Sequence, residues 1–359
     1  MSEEGAAARL TIDLDALAAN HATLRGRVGG AETAPVVKAD GYGLGARQVA
    51  RRLWAEGARS FFVARLDEGE RLRADLGAGR NATVYVLDGL TPGSAPRFRA
   101  SALVPVLSSL AQADEAAGEA GMETALHVDT GLNRLGVRPE QAAALAGAGR
   151  TFGMVMSHLA CGPEPEHPMN ARQLKAFREI APLFPAARLS LANSAGVFLG
   201  ADYHFDLVRP GVSLYGGGPF EAPHPDIRPV VTFEAPVLQV RDIPAGESVG
   251  YGAHFVARRT VRSATVAAGH ADGMLRSLQP GGFVWFRGER RPILGQVSMD
   301  VIVVDVTGCE EVHSGEMVEL LGPNALIDEV AAAAGTISYE FLVRLSGRAR
   351  RTYLGEASA

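Results

Sequence analysis

Eight short runs of β-branched and aromatic residues recur in the first two thirds of the chain, and most are followed by a helical pattern. They are Ala34–Val37, Ser60–Ala64, Thr83–Leu87, Leu103–Val106, Thr124–Val128, Phe152–Met156, Arg188–Leu191 and Phe205–Val208. Eight strand–helix units in about 200–250 residues are the arithmetic of a (β/α)8 barrel. A doubly wound open sheet is the competing arrangement. The rhythm changes near Ile227. Val230-Val231-Thr232-Phe233 begins a series of short strands, punctuated by turn signals at Ile243–Glu247, Gln279–Gly282 and Gly322–Asn324. Helical pattern returns at Ile327–Ala334 and Ser338–Leu345. Upstream, Ala8–Leu14 alternates like a strand and Asp15–Arg27 reads as a helix. The expected fold class is therefore α/β + β, a (β/α)8 TIM barrel followed by a β-rich C-terminal domain. The expected division is 1–228 and 229–359, with residues 1–14 free to pair with the second domain.

Composition excludes several function classes. The chain has 359 residues, 47% hydrophobic and 21% charged, with a formal net charge of −5. No basic run or patch stands out, so nucleic acid is not an expected partner. No apolar run approaches membrane-spanning length, so no membrane is expected. The start, Met1-Ser2-Glu3-Glu4-Gly5, is polar and acidic and does not read as a signal peptide. Cys161 and Cys309 have neither metal-type spacing nor a disulfide framework, which fits a reducing compartment. A cytoplasmic location and no metal are the expectations. His21, His204, His224 and His313 show no ligand spacing and read as solvated or locally hydrogen-bonded.

The strand ends carry the chemistry. In Pro35-Val36-Val37-Lys38-Ala39-Asp40-Gly41-Tyr42-Gly43-Leu44-Gly45, a lysine stands where the chain leaves the first strand, beside a glycine-rich turn. An amine held there suits a Schiff base to a carbonyl group, and the glycines admit a close ligand such as a phosphate. Asp129-Thr130-Gly131-Leu132-Asn133-Arg134 follows the fifth strand, Ser157-His158-Leu159-Ala160 the sixth, Asn193-Ser194-Ala195-Gly196 the seventh and Arg209-Pro210-Gly211-Val212 the eighth. In barrels, active sites gather at these tips, and phosphate often sits after strands seven and eight. Ser194 and the Gly211–Val212 backbone supply a hydroxyl and N–H groups there, and Tyr42 can add a phenol. Arg209 is permanently cationic. Against an aromatic ring nitrogen it would donate a hydrogen bond and oppose ring protonation. That weakens the ring as an electron sink, which favours racemisation over transamination or decarboxylation.

These blocks, taken in order, resemble the alanine racemase family of fold-type III pyridoxal-phosphate enzymes. The resemblance runs from Arg9 to about Tyr353. It also takes in Arg134-Leu135-Gly136, Val249-Gly250-Tyr251-Gly252, Gly269-His270-Ala271-Asp272-Gly273, Ser298-Met299-Asp300 and Thr336-Ile337-Ser338-Tyr339-Glu340. It implies a homodimer with shared active sites, pyridoxal 5'-phosphate as cofactor, and a two-base reaction. Lys38 would carry the cofactor and act as one base; Tyr251 of the other subunit would be the second. His158 and Arg209 would form a hydrogen-bonded chain that tunes that tyrosine. Arg134, helped by Met299, would hold the cofactor phenolic oxygen and the substrate carboxylate. Tyr42, Ser194, Gly211 and Val212 would hold the phosphate, with Asn193 alongside them and Asp300, His127 and His270 supporting. Removing a proton from one face of Cα and returning it on the other needs a base on each side.

Four positions depart from the family pattern. His127 stands where many members carry a carbamylated lysine that orients the following arginine. His270 replaces a corridor tyrosine. Pro163 occurs where an acidic residue is common after the site histidine. Gly347 stands where some members place a tyrosine. Arg134 is therefore expected to be held by another anion, chloride for example, or by a neutral hydrogen bond. The alternative functions are a broader-specificity amino-acid racemase, a fold-type III amino-acid decarboxylase and a non-catalytic cofactor-binding protein. Arg209 and Ser298 argue against the decarboxylase, which would use a carboxylate at the ring nitrogen and a late cysteine.

Overall fold

A computed structural model describes residues 8–77, 79–119, 121–345 and 347–356. The acidic start Met1–Gly5 lies outside them. The chain divides into two compact units, one being Ala18–Leu214 and the other joining the N-terminal segment through Leu17 to Tyr215–Glu356. It enters through β1 (Arg9–Asp13), which belongs to the second of these, and a helix at Leu14–Arg27.

Among the described residues of the first unit, eight strands form a barrel: β2 (Glu32–Thr33), β3 (Ser60–Val63), β4 (Thr83–Val86), β5 (Leu103–Leu107), β6 (Ala125–His127), β7 (Met154–Met156), β8 (Arg188–Ser190) and β9 (Leu207–Val208). β3 to β8 pair in parallel in chain order, and β2 pairs in parallel with β9. Two joints close the ring. Val36 bridges Phe62 of β3, while Asp206 N and Arg209 N donate to Leu189 O and Ala192 O at 3.0 and 2.9 Å. β3 and β5 are buried along their whole length, as parallel strands covered by helices must be. The helices supply matching apolar faces: Ala46–Ala55 buries Val49, Ala50 and Leu53, and Pro168–Ile180 buries Leu174, Phe177 and Ile180. All eight expected strands are present. The first begins earlier than expected: its regular ladder lies at Glu32–Thr33, and the expected run continues it, with Ala34 N and Val36 N donating to Val208 O and Pro210 O at 2.9 Å and Val37 N to Phe62 O at 2.8 Å. Pro35 has no N–H to give, and its carbonyl accepts from Phe62 N at 2.9 Å.

The second unit is rich in antiparallel strands. They are β10 (Val231–Ile243), β11 (Ser248–Val249), β12 (Phe255–Val256), β13 (Val261–Val266), β14 (Phe283–Phe286), β15 (Glu289–Pro292), β16 (Ile302–Asp305), β17 (Met317–Leu321) and β18 (Arg350–Leu354). β10 is its spine. The strand is thirteen residues long, where the sequence pattern predicts short pieces. It pairs with β1 and β17, then changes register between Val237 and Gln239 and continues against β13. Pro236 sits at that change, where a missing donor costs least. Ile243, Val249, Ala257, Val261 and Leu294 form an apolar cluster that fixes the β11–β12 hairpin.

Candidate active site

Lys38 follows Val37 and opens a turn that sequence patterning does not reveal. Ala39, Asp40, Gly41 and Tyr42 all have positive φ, at 52°, 55°, 62° and 56°, so the segment is one left-handed helical turn. That conformation costs roughly 1–2 kcal/mol per non-glycine residue, so other contacts must enforce it. Gly41 N and Gly43 N donate to Val37 O and Ala39 O at 2.9 and 2.7 Å. Asp40 Oδ1 accepts from Ala46 N at 2.9 Å. Glu68 ties two strand tips together. One of its oxygens accepts from Ala39 N at 2.8 Å, the other from Ala64 N at 2.8 Å and Arg65 N at 3.1 Å. Glu68 is absent from the sequence-derived set. Its signal was an acid in the first turn of the helix Leu66–Leu76, where it caps exposed N–H groups.

Burial lowers the pKa of Lys38, and the nearby charge of Arg134 lowers it further; Glu68 and Asp88 oppose both. The neutral, nucleophilic amine is thereby favoured. The chain has only one other lysine, Lys175, on the exposed face of the helix Pro168–Ile180. In a chain whose cations are almost all arginine, a desolvated lysine at a strand tip is a signal in itself.

Arg209 is 4% exposed, and burial pulls its ionisation down to about 9, which still leaves it cationic at neutral pH. Its guanidinium donates to Ser190 Oγ, to Ser157 O at 2.5 Å and to Leu191 O at 3.4 Å, and lies 3.4 Å from His158 Nδ1. It also sits 5.9 Å from the centre of the Phe62 ring. These partners are neutral, so the charge stays available to an incoming group. His158 is held well below the ordinary histidine range by burial, then by Arg209 and Arg134. The same causes lower buried His127 to about 4. The barrel mouth thus holds two guanidiniums, a desolvated amine and two neutral imidazoles, a field that favours anions.

The residues expected to hold a phosphate stand on neighbouring loops. Asn193 caps the short helix Ser194–Phe198 by accepting from Gly196 N at 3.0 Å. Ser194 Oγ accepts from Gly211 N at 2.9 Å and Ser213 N at 3.3 Å, and Val212 opens the turn between them. A Cβ on Gly211 would fall 2.1 Å from the Tyr42 hydroxyl, so Tyr42 occupies the space that glycine leaves open. Arg134 is exposed on the loop after β6 and makes no hydrogen bond or ion pair with another described residue. The expected neutral hydrogen bond to it is not formed. Asp129 shapes that loop by accepting from Gly131 N and Asn133 N at 2.9 and 3.1 Å.

Tyr251, Met299, His270 and Asp300 lie on the strand-rich unit. Tyr251 opens the turn between β11 and β12 and is 72% exposed; Met299 is 59% exposed. His270 N donates to Ser298 O at 3.0 Å and Ala271 N to Met299 O at 2.9 Å, which binds the two motif loops. Arg348 pairs with Asp300 at 2.8 Å and with buried Asp272 at 3.4 Å, and Asp272 accepts from Gly269 N at 2.9 Å. No group of three or more histidine, cysteine or acidic side chains suited to a metal occurs among the described residues.

Buried histidines make stability depend on pH. His21, expected to be solvated or locally bonded, is 1% exposed, and its pKa is lowered to about 4 by burial and then by Arg25. An unfolded histidine binds a proton near 6.5, whereas His21 and His127 stay neutral in the fold until about pH 4. Unfolding therefore takes up protons between those values, and stability falls as pH drops through that window. From pH 7.5 to 5.5 each histidine removes about 1.4 kcal/mol of stability. Urea midpoints measured across that range should fall; a flat profile overturns the assignment.

Fold and site together define a barrel protein whose strand ends gather an amine, two guanidiniums and two imidazoles. Comparison with known proteins specifies it. The alanine racemase N-terminal domain profile matches residues 12–219, and the C-terminal domain profile matches 230–353. A catabolic alanine racemase of Agrobacterium fabrum is 45% identical over 362 aligned residues, covering 98% of this chain and 93% of that protein. An alanine racemase of Rhizobium meliloti is 46% identical, covering 98% of each. The Bartonella henselae alanine racemase structure, with covalently bound pyridoxal phosphate, is 37% identical with a TM-score of 0.91, covering 97% of this chain and 100% of that one. The chain belongs to the alanine racemase family, whose members are isomerases.

Proposed function

We propose that this protein interconverts L- and D-alanine with pyridoxal 5'-phosphate as its cofactor. The observation that carries this reading is the pairing, within one barrel mouth, of desolvated Lys38 with a buried Arg209 whose partners are all neutral. The cofactor offers an aldehyde, a dianionic phosphate and a ring nitrogen, and the residues present fit each. Lys38 would hold the aldehyde carbon. Tyr42, Ser194, Gly211 and Val212 would hold the phosphate, with Asn193 shaping their loop. Arg209, backed by His158, would face the ring nitrogen. When bound, the cofactor acidifies the substrate Cα–H bond by withdrawing electrons from it.

The chain's own groups supply the rest. Arg134 holds the substrate carboxylate, with Met299 beside it. Lys38 exchanges the proton on one face of Cα. Tyr251, contributed by a second copy of the chain, exchanges it on the other. Its exposure supports this part of the reading, because a phenol left in solvent by its own unit is available to a partner. The protein acts as a homodimer with shared sites, located in the cytoplasm, and supplies D-alanine for cell-wall synthesis. Incubation with L-alanine in deuterium oxide tests the reading. Loss of the Cα proton signal together with loss of optical rotation supports it. Release of carbon dioxide, or no change, overturns it.

Gly211→Ala is a direct probe of the phosphate contacts. The added methyl meets the buried Tyr42 ring and must displace it. Cofactor retention on dialysis should fall at least tenfold, about the effect of losing one charge-assisted hydrogen bond. Retention at the level of the unaltered protein removes Tyr42 and Gly211 from the site.

A further inference from the structure

Gln173 is fully buried on the helix Pro168–Ile180, and every polar atom of its side chain is used. Its Nε2 donates to His158 O at 2.8 Å and to Thr130 Oγ1 at 3.2 Å. Its Oε1 accepts from Ala160 N at 2.7 Å. The backbone partners fix the amide's orientation, since a flip would face two donors and two acceptors together. Thr130 Oγ1 lies 2.7 Å from Ser157 Oγ, and Ser157 O receives the Arg209 guanidinium at 2.5 Å. Gln173 therefore joins the loop after β6, which carries Arg134, to the loop after β7, which carries His158, alongside the direct Thr130–Ser157 bond. The two loops leave adjacent parallel strands that end at His127 and Met156. Beyond those ends the ladder no longer holds them in register.

We propose that Gln173 is a positioning residue that sets the distance between the Arg134 loop and the His158–Arg209 pair. This rests on the reading of Arg134 as the carboxylate-binding group. Thr130 is the link that matters most, because Arg134 has no partner of its own among the described residues. Its placement comes from its loop alone. Loosening that link misplaces the carboxylate site while the cofactor contacts after β8 and β9 stay intact. Substrate binding then suffers more than turnover.

Three variants of the cofactor-loaded enzyme test the proposal. Thr130→Val removes the hydroxyl and with it the bonds to Gln173 and to Ser157, and Gln173→Leu removes all three Gln173 contacts at similar volume. Each should raise KM for L-alanine about three- to tenfold, with a smaller change in kcat and an unaltered visible spectrum. The double variant should fall short of the sum of the two single effects, because both remove the Gln173–Thr130 bond while only Thr130→Val removes the Thr130–Ser157 bond. If KM is unchanged in Thr130→Val, or the effects of the pair simply add, the proposal is overturned. Should Gln173→Leu fail to fold, Thr130→Val is compared with Ser157→Ala, which removes only the Thr130–Ser157 bond; a KM no higher in Thr130→Val than in Ser157→Ala overturns the proposal. Arg134→Ala separates the two claims. A raised KM there, with Thr130→Val unaffected, refutes the role of Gln173 alone; an unchanged KM in Arg134→Ala refutes the reading beneath it.

Discussion

Replacing Lys38 with alanine is expected to lower racemisation by at least about 10⁴-fold, the upper scale for loss of one acid–base group, because the attachment point goes with it. The visible absorbance of the cofactor-loaded protein should disappear at the same time. The desolvated amine explains why. Burial and Arg134 bias Lys38 towards its neutral form, and the chain's only other lysine, Lys175, stands on an exposed helix face. The substitution keeps the Cβ and leaves the turn after it, which Glu68 and Asp40 hold by bonds to main-chain N–H groups. Folding should therefore survive, and the thermal midpoint should stay near that of the parent. A band that persists in Lys38→Ala would assign the attachment to Lys175 instead.

Tyr251→Phe should leave the cofactor bound and the fold intact while slowing proton exchange from one enantiomer far more than from the other. The expected loss in the affected direction is about 10²–10⁴-fold. Only an oxygen is removed, from a side chain 72% exposed on its own unit, so stability should move by no more than about 0.5 kcal/mol. Hydrogen–deuterium exchange at Cα, started separately from L- and D-alanine, resolves the two faces. Equal rates in both directions, matching the parent, would show that Tyr251 is not a base. Equal loss in both directions would place it in binding.

Much of this protein was legible from pattern alone. Eight strand runs with helices between them announced the barrel, and the change of rhythm near Ile227 announced the strand-rich part. Position pointed to Lys38, Arg209 and Ser194, because residues at barrel strand tips converge whatever the details of packing, whereas only the family resemblance pointed to Tyr251. What pattern missed is equally specific. The left-handed turn through Ala39, Asp40 and Tyr42 contradicts local preference and exists because Glu68, 29 residues away, caps it. β10 continues past Pro236 because its neighbours change there. Nothing in the sequence around Gln173 marks it out; its burial and three partners do.

The sequence by itself determined the architecture and the cast of chemical groups. Alternation of strand and helix, and the order of short motifs, are local properties written in neighbouring residues. Only the tertiary structure decided which of those groups are desolvated, which cations face each other, and which loops are tied. Those outcomes depend on contacts between segments tens of residues apart, where burial and Coulomb forces sum over neighbours that no stretch of sequence contains.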